Sequence, residues 1–221
     1  MADTMPETVG QSLHDHDHEH PLRDSFDEVV GDDVPHQTSL GISNEKLGMW
    51  VFLGSECLLF GGLISTYLLY QDRALEGPEP AELFDIPFTS VSAFVLLMSS
   101  LTMVLALSAL QRGDEQRNRL WLLTTALLGS VFIAGQVYEF TAFYREGLGF
   151  TTNLAGSAFY TLTGFHGVHV TLGIVMLLSL VVMSLRGNLH QAQSETVEIV
   201  GLYWHFVDIV WIVIFAIVYL I

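Results

Sequence analysis

The sequence predicts an all-α protein, a polytopic membrane bundle of five transmembrane helices, from two observations. Of the 221 residues, 51% are hydrophobic and 14% are charged, whereas about 25% are charged in an ordinary soluble domain. The apolar residues also form five stretches, each long enough to cross about 30 Å of hydrocarbon as a helix. These spans are residues 47–70, 87–110, 120–143, 157–185 and 199–221.

Residues 1–46 are predicted to form a disordered acidic tail ahead of the transmembrane domain, residues 47–221. The tail has too few apolar residues to offset the entropy lost on ordering. Four of its histidines stand at every second position: His14, His16, His18 and His20. An extended chain would place them on one side, where they could bind a divalent metal. A solvated tail explains the same composition, so both readings stay open.

The first span contains Glu56 near its middle and no other charged side chain. Charged acids at the bilayer centre cost about 2.5 to 3.5 kcal/mol on insertion scales. Glu56 must therefore be neutral, partnered or directed at a polar cavity. Two readings follow: a neutral acid hydrogen-bonded to a neighbour, or a proton-exchanging group beside a proton-conducting partner.

The connections between the spans are short. Gly77-Pro78-Glu79-Pro80 cannot continue a helix, and Pro87 suits the first turn of the second one. Residues 111–119 are polar and few, so the second and third spans should lie antiparallel and adjacent. In the third connection, residues 144–156, Asn153 is expected to cap the fourth helix.

Each of the last three spans carries two polar residues three positions apart, which places them on one helical face. They are Gln136 and Glu139, His166 and His169, and His205 and Asp208. A histidine pair on one helix cannot supply opposite axial ligands to one haem, and it lacks the remaining donors of a zinc site. The Glu-x-x-His motif of di-iron bundles is absent. We therefore expect interhelical hydrogen bonds, each worth about 1 kcal/mol, rather than a catalytic or metal site.

Glycines and aromatic residues also mark the helix surfaces. Close approach of the fourth helix to a neighbour is predicted at Gly164, Gly167 and Gly173. The first helix has comparable glycines at Gly54, Gly61 and Gly62. Trp50, Tyr203 and Trp204 lie near predicted helix ends and are interpreted as lipid-interface anchors.

The net charge of −16 lies mostly outside the spans, where acids outnumber the 8 lysines and arginines. Such a surface argues against nucleic acid and anionic lipid head groups as partners. A halophilic source would explain it, and so would a single acidic tail.

The cations predict the orientation. One side has Arg23, Lys46, Arg112, Arg117, Arg119 and Arg186, and the other has Arg73 and Arg145. Because cytoplasmic loops carry the excess of cations, we expect the amino terminus in the cytoplasm and the carboxyl terminus outside. The tail lacks the features of a signal or transit peptide, which makes a prokaryotic plasma membrane the simplest location.

Four motifs follow one another along the spans. They are Leu47-Gly-Met-Trp-Val-Phe-Leu-Gly-Ser-Glu56, Gln136-x-x-Glu139-Phe140, Gly164-Phe-His-Gly-Val-His-Val-x-x-Gly173 and Tyr203-Trp-His-Phe-Val-Asp-Ile-Val-Trp211. In this order they resemble subunit III of haem-copper terminal oxidases, in the five-helix form. The resemblance covers about residues 44–221.

The resemblance implies a non-catalytic subunit of a proton-pumping oxidase, with haem and copper in partner subunits and no redox centre on this chain. Its main contact would be subunit I, with subunit II and, in complexes that have one, a small subunit IV nearby. It would hold phospholipid in a cleft, sustain proton uptake and protect the oxidase during turnover. Glu56 matches the family's buried carboxyl that reacts with hydrophobic carbodiimides, a reaction that requires a protonated acid in an apolar site.

The resemblance leaves the electron donor open. Ser55-Glu56-Cys57 mixes features of cytochrome c oxidases and quinol oxidases, and Asp85-Ile-Pro-Phe88 is similar to quinol enzymes. A subunit-III-like protein of a nitric oxide reductase system has the same fold and is an alternative. Another is a stand-alone proton-coupled transporter, for which internal repeats or broken helices at matched positions would be expected. Neither is apparent in the sequence.

Overall fold

The computed structural model describes residues 43–71 and 83–220, which fold into five long helices. They are α1 (Asn44–Tyr70), α2 (Ile86–Gln111), α3 (Glu115–Arg145), α4 (Leu154–Leu185) and α5 (Ser194–Phe215). A short 3₁₀ turn, Gln191–Gln193, precedes α5, and a π-helical turn, Ala216–Leu220, follows it. All five are long and apolar enough to cross a membrane. The prediction of an all-α, five-helix membrane bundle is confirmed, whereas the orientation of the termini stays a prediction.

Several helices begin at side chains that cap them. Asp85 accepts a hydrogen bond from the Phe88 amide, with Pro87 in the first turn of α2 as predicted. Asp114 caps α3, and Asn153 accepts from the Gly156 amide at the start of α4. α3 and α5 extend past the predicted spans, because polar residues such as Glu115 and Glu195 continue the helix beyond the apolar stretch. α5 begins five residues before its predicted span, so His205 lies near the middle of the helix, seven residues after Glu198.

The helices pack unequally. The α2–α3 contact is the most extensive, as their short connection predicts, and α3 also packs on α4. The other helices meet at α5, which contacts α1, α2 and α4. α1 packs on α4 and α5, and buries Leu53, Phe60 and Tyr67, one residue every seven positions.

Trp204 forms the centre of the packing between α2, α3, α4 and α5. Its indole lies between Gly129 and Gly173, where an added Cβ would come within 2.5 and 2.8 Å of the ring. The indole N–H donates to Ser99 Oγ at 2.9 Å. Trp204 is 1% exposed and Tyr203 3% exposed. The prediction that these two residues anchor the protein at the lipid interface is therefore wrong, because neighbouring glycines make room for them inside the bundle.

The predicted close approaches between helices are found at some glycines and not at others. Gly167 lies against the Gln136 side chain, and Gly173 against Trp204. Gly164 has no neighbour within 4 Å of an added Cβ, and neither has Gly54, Gly61 or Gly62 on α1. The close-approach prediction therefore holds at two of the α4 glycines and is wrong for α1.

Candidate functional site

Glu56 is paired with His169 across the boundary between α1 and α4. Oε2 of Glu56 lies 3.1 Å from Nε2 of His169, and their side chains are 14% and 11% exposed. The other ring nitrogen, Nδ1, lies 2.7 Å from the carbonyl oxygen of Phe165, one turn earlier on α4. The acid is thus partnered, by a histidine that the sequence alone did not assign to it.

These contacts set the smallest number of protons that the pair can hold. A carbonyl oxygen can only accept, so Nδ1 of His169 carries a proton. The contact between Nε2 and Glu56 then needs one further proton, because otherwise two lone pairs would face each other. That proton resides on the carboxyl group or on the imidazole, and the pair is neutral overall in both forms. Neutrality suits a site within a membrane span.

Neighbouring aromatic side chains hold the histidine in place. Tyr203 donates its hydroxyl to the carbonyl oxygen of His169 at 3.0 Å. The ring of Phe60, on α1, packs edge-on against the imidazole with centroids 5.1 Å apart. The Phe60 ring and the contact between Nδ1 and Phe165 together limit rotation of the imidazole away from Glu56.

Glu139 lies in a second contact, between α3, α2 and the π-helical turn. Its Oε1 lies 2.8 Å from Thr89 Oγ1 and accepts from the Tyr219 hydroxyl at 3.2 Å. Thr89 Oγ1 also lies 3.0 Å from the carbonyl oxygen of Asp85. A hydroxyl has a single proton, so both Thr89 contacts are satisfied together when Glu139 carries an acid proton.

His205 and Asp208 meet through a serine of α2. Ser100 donates its hydroxyl to Oδ2 of Asp208 at 2.6 Å, and Nδ1 of His205 lies 3.2 Å from the same hydroxyl oxygen. The second carboxylate oxygen, Oδ1 of Asp208, is buried without a hydrogen-bond partner among the described residues.

Gln136 and His166 complete the set of polar residues singled out in the spans. Gln136 donates its amide to the carbonyl oxygen of Thr163 on α4 at 2.8 Å. His166 is fully buried, contacts the carbonyl oxygen of Val207 through Nε2 at 3.2 Å, and stacks on Trp211. Each of the six side chains predicted as interhelical ties thus contacts another helix, and their functional role stays a prediction.

The structure does not bring these polar groups together into one centre. Within residues 43–71 and 83–220, no group of three or more His, Cys, Asp or Glu is arranged to hold a metal ion. The four tail histidines, His14 to His20, lie outside the described residues. The arrangement offers separate contacts that can each hold a proton, and the Glu56–His169 contact is partly exposed at the surface of the chain.

Sequence reasoning missed the hydroxyl partners of these groups. Thr89, Ser100, Tyr203 and Tyr219 lie in stretches that read simply as apolar. Serine and threonine give a weak signal there because their hydroxyls can bond to their own helix, as Thr89 also does.

One end of the bundle is joined by charged contacts at the starts of α1, α3 and α5. Lys46 pairs with Glu198 at 2.6 Å, joining α1 to α5. In the connection before α5, His190 contacts Glu115 at 2.6 Å. This contact with Glu115 raises the pKa of the exposed His190 above its usual range. These two contacts join separate parts of the bundle at this end, and the one at His190 responds to pH.

Comparison with known proteins identifies one family and several related chains. The family model described as cytochrome c oxidase subunit III matches residues 31–221. Cytochrome c oxidase subunit 3 of Bacillus sp. (strain PS3) is 41% identical over 177 residues, covering 80% of this chain and 86% of that protein. Quinol oxidase subunit 3 of Bacillus spizizenii is 38% identical over 187 residues, covering 85% and 91%. The probable quinol oxidase subunit 3 of Staphylococcus saprophyticus is 38% identical over 198 residues, covering 89% and 96%.

Proposed function

This chain belongs to the cytochrome c oxidase subunit III family, and we propose that it works as the non-catalytic subunit of a proton-pumping haem-copper terminal oxidase in aerobic respiration. The family match over residues 31–221 carries this conclusion. As a subunit III it is a multi-pass membrane protein and part of an oxygen-reducing complex. We also propose that this chain carries no redox centre and that subunits I and II bind the haem and copper.

The arrangement of the polar side chains supports an accessory role. Each of the six predicted residues makes at least one hydrogen bond to another helix of the same bundle. A bundle stabilised in this way offers a firm membrane surface against which subunit I can pack. We place it in a prokaryotic plasma membrane with its amino terminus in the cytoplasm, in contact with subunit II, with any small subunit IV and with bound phospholipid.

The electron donor is not assigned by these relatives. Their names include both cytochrome c oxidase and quinol oxidase, at 35 to 41% identity. The shared element is reduction of oxygen by the complex, and we restrict the proposal to that.

For the site, we propose that Glu56 and His169 exchange a proton with the proton-uptake machinery of the complex. The pair shares one proton that can reside on either partner. The pair lies beside α1, the helix with the smallest buried fraction among the five. In its acid form Glu56 is also the carboxyl that a hydrophobic carbodiimide would reach from the bilayer.

Purification through a tag on this chain tests the assignment to an oxidase. In mild detergent, haem and oxygen-reductase activity should accompany the chain, measured by an optical spectrum and oxygen consumption. A colourless, homogeneous single-chain product would contradict the proposal.

Labelling with a hydrophobic carbodiimide tests the site. Glu56→Gln should abolish labelling and leave assembly of the complex unchanged, since the amide retains the shape and a donor for His169. Cys57→Ala, at the adjacent exposed residue, is the matched control and should label like the natural protein. Unchanged labelling of Glu56→Gln would show that another acid, Glu139 or Asp208, reacts.

A further inference from the structure

One polar contact between α5 and α2 runs from the surface of the bundle to its interior. His205 and Ser100 are partly exposed at the surface of the chain, whereas Asp208 is 4% exposed. Ser100 Oγ lies 2.6 Å from Oδ2 of Asp208 and 3.2 Å from Nδ1 of His205. The serine hydroxyl therefore bridges a partly exposed histidine and a buried acid.

The contact lies close to the charged end of the bundle. Glu198, which pairs with Lys46 at that end, stands seven residues before His205 on α5. Seven residues are two helical turns, about 10 Å, and they place the two side chains on the same face. Asp208 follows three residues after His205 on that face, further from the charged end. The polar groups of α5 thus lead from the charged end into the bundle.

Two arrangements of protons are compatible with the three side chains. In the first, the Asp208 carboxylate accepts the serine proton, and His205 donates Nδ1–H to the serine oxygen. In the second, the acid form of Asp208 donates through Oδ2 to the serine oxygen, and Ser100 donates to Nδ1 of His205. The hydroxyl donates once and accepts once in both arrangements. One arrangement converts into the other when two protons move along hydrogen bonds that already exist.

The surroundings of Asp208 favour its acid form. Its second oxygen, Oδ1, is buried without a hydrogen-bond partner among the described residues. A carboxylate shares its negative charge between both oxygens, so an unpartnered buried oxygen is costly, whereas the carbonyl oxygen of the acid is neutral. The acid also avoids the cost of a charge within a membrane span. Asp208 therefore has the environment of a buried acid that keeps its proton.

We propose that Asp208, Ser100 and His205 form a proton relay, in which Asp208 holds a proton inside the bundle and exchanges it through His205. For outward transfer, the O–H bond of Asp208 breaks as its proton bonds to Ser100. The serine O–H bond breaks in turn, and that proton bonds to Nδ1, which leaves a carboxylate and an imidazolium. The imidazolium exchanges its Nδ1 proton with water when the ring turns toward the surface. Return transfer then restores the acid and the neutral histidine.

Infrared spectroscopy of the intact complex, purified through a tag on this chain, tests the relay. The acid form of Asp208 gives a C=O stretching band that Asp208→Asn removes, and the band shifts when deuterium replaces the proton. In Ser100→Ala the shift should be about a hundredfold slower, the lower end of what a positioned proton-transferring group contributes. Ser100→Thr retains the hydroxyl and should exchange at the natural rate. Ser179→Ala is the matched control, because this exposed serine bonds within its own helix, and it should also exchange at the natural rate.

Substitution of His205 separates a relay from a structural hydrogen bond. His205→Gln can still bond to Ser100, but an amide does not take up a proton, so the exchange should be as slow as in Ser100→Ala. If Ser100→Ala is not recovered, His205→Gln gives the same decision. A natural exchange rate in either variant would overturn the relay, and so would a natural chain without the Asp208 band. The relay goes beyond the proposed function and does not need it. A natural preparation without haem would contradict the proposed function and leave the infrared measurement valid.

Discussion

α1 and the group formed by α2 to α5 are stabilised in different ways. Only 11% of the most apolar stretch of α1 is buried inside the chain, against 33 to 44% for the other four helices. The glycines of α1 have open space around them, whereas Gly129 and Gly173 hold Trp204 tightly. α1 buries one apolar stripe, and its polar contacts include Glu56–His169 and Lys46–Glu198.

Burial and specific pairing of side chains can therefore substitute for each other in a membrane protein. Lipid is as apolar as leucine, so helices associate through close packing and hydrogen bonds rather than through exclusion from water. The α2 to α5 group relies mainly on close packing around Trp204. In α1 the packing is slight, so the side-chain pairs supply a larger share of the stabilisation.

The largest expected effect comes from filling the space beside Trp204. Gly129→Ala places a Cβ 2.5 Å from the indole, which Gly173 and Ser99 prevent from moving. We expect a loss of about 1 to 3 kcal/mol in the free energy of unfolding. Gly61→Ala on α1 meets nothing within 4 Å and should range from no change to a gain of about 1 kcal/mol. Denaturant unfolding of the purified chain in micelles measures both, and equal losses would remove the distinction between the two regions.

The next effect concerns the Glu56–His169 contact. A double-mutant cycle with Glu56→Leu and His169→Leu should give a coupling energy of about 0.6 to 1.7 kcal/mol, the range of interhelical hydrogen bonds in membranes. The same unfolding measurement supplies the four free energies. Strictly additive losses would mean that the two side chains do not stabilise the α1–α4 contact.

A smaller effect is expected at the Lys46–Glu198 ion pair, which joins α1 to α5. Its side chains are 28% and 38% exposed, so water and salt screen it. Lys46→Met should cost about 0.2 to 1 kcal/mol, with the loss shrinking as salt is raised. Arg117→Met is a control, because Arg117 pairs with Asp114 inside the α2–α3 turn and does not touch α1. A salt-independent loss for Lys46→Met would point to packing rather than charge.

The smallest expected effect is the pH dependence of the His190–Glu115 contact, within the α2 to α5 group. The pKa of His190 is raised in the folded chain, so its contribution is complete below the unfolded value of about 6.5. It is lost as pH rises through the higher folded value. Melting temperatures followed across that interval should fall slightly, and Glu115→Gln should flatten this part of the profile. A profile that Glu115→Gln leaves unchanged would assign the pH response to another group.

The five helices could be predicted from the sequence because crossing a bilayer leaves a long, nearly charge-free run of residues. Caps such as Asp85 and Asn153 are short-range signals, and Asn153 was predicted as one. Helix ends could not be placed accurately, because the polar turns that extend them resemble loops. The last helix, for example, begins at Ser194, five residues before the apolar stretch in which His205 lies near the start.

The pairing of side chains could not be predicted, because it depends on how the helices are rotated against one another. Glu56 was identified from the energetic cost of a charged acid within the bilayer. Its partner His169 could not be identified in this way, because it lies 113 residues away. Trp204 was misread as a lipid anchor because the glycines that accommodate it lie on α3 and α4. Spacing along one helix says which residues share a face, and packing between helices decides what that face meets.

The single proton shared by Glu56 and His169 has an electrical consequence. Its transfer moves charge by no more than the 3.1 Å between the two atoms, about a tenth of the hydrocarbon thickness. At 100 mV the membrane potential would then bias the two forms by about 0.2 kcal/mol at most. That is below thermal energy, so an energised membrane and a discharged one leave the proton distributed in nearly the same way. Local chemistry around the pair, rather than voltage, sets where the proton resides.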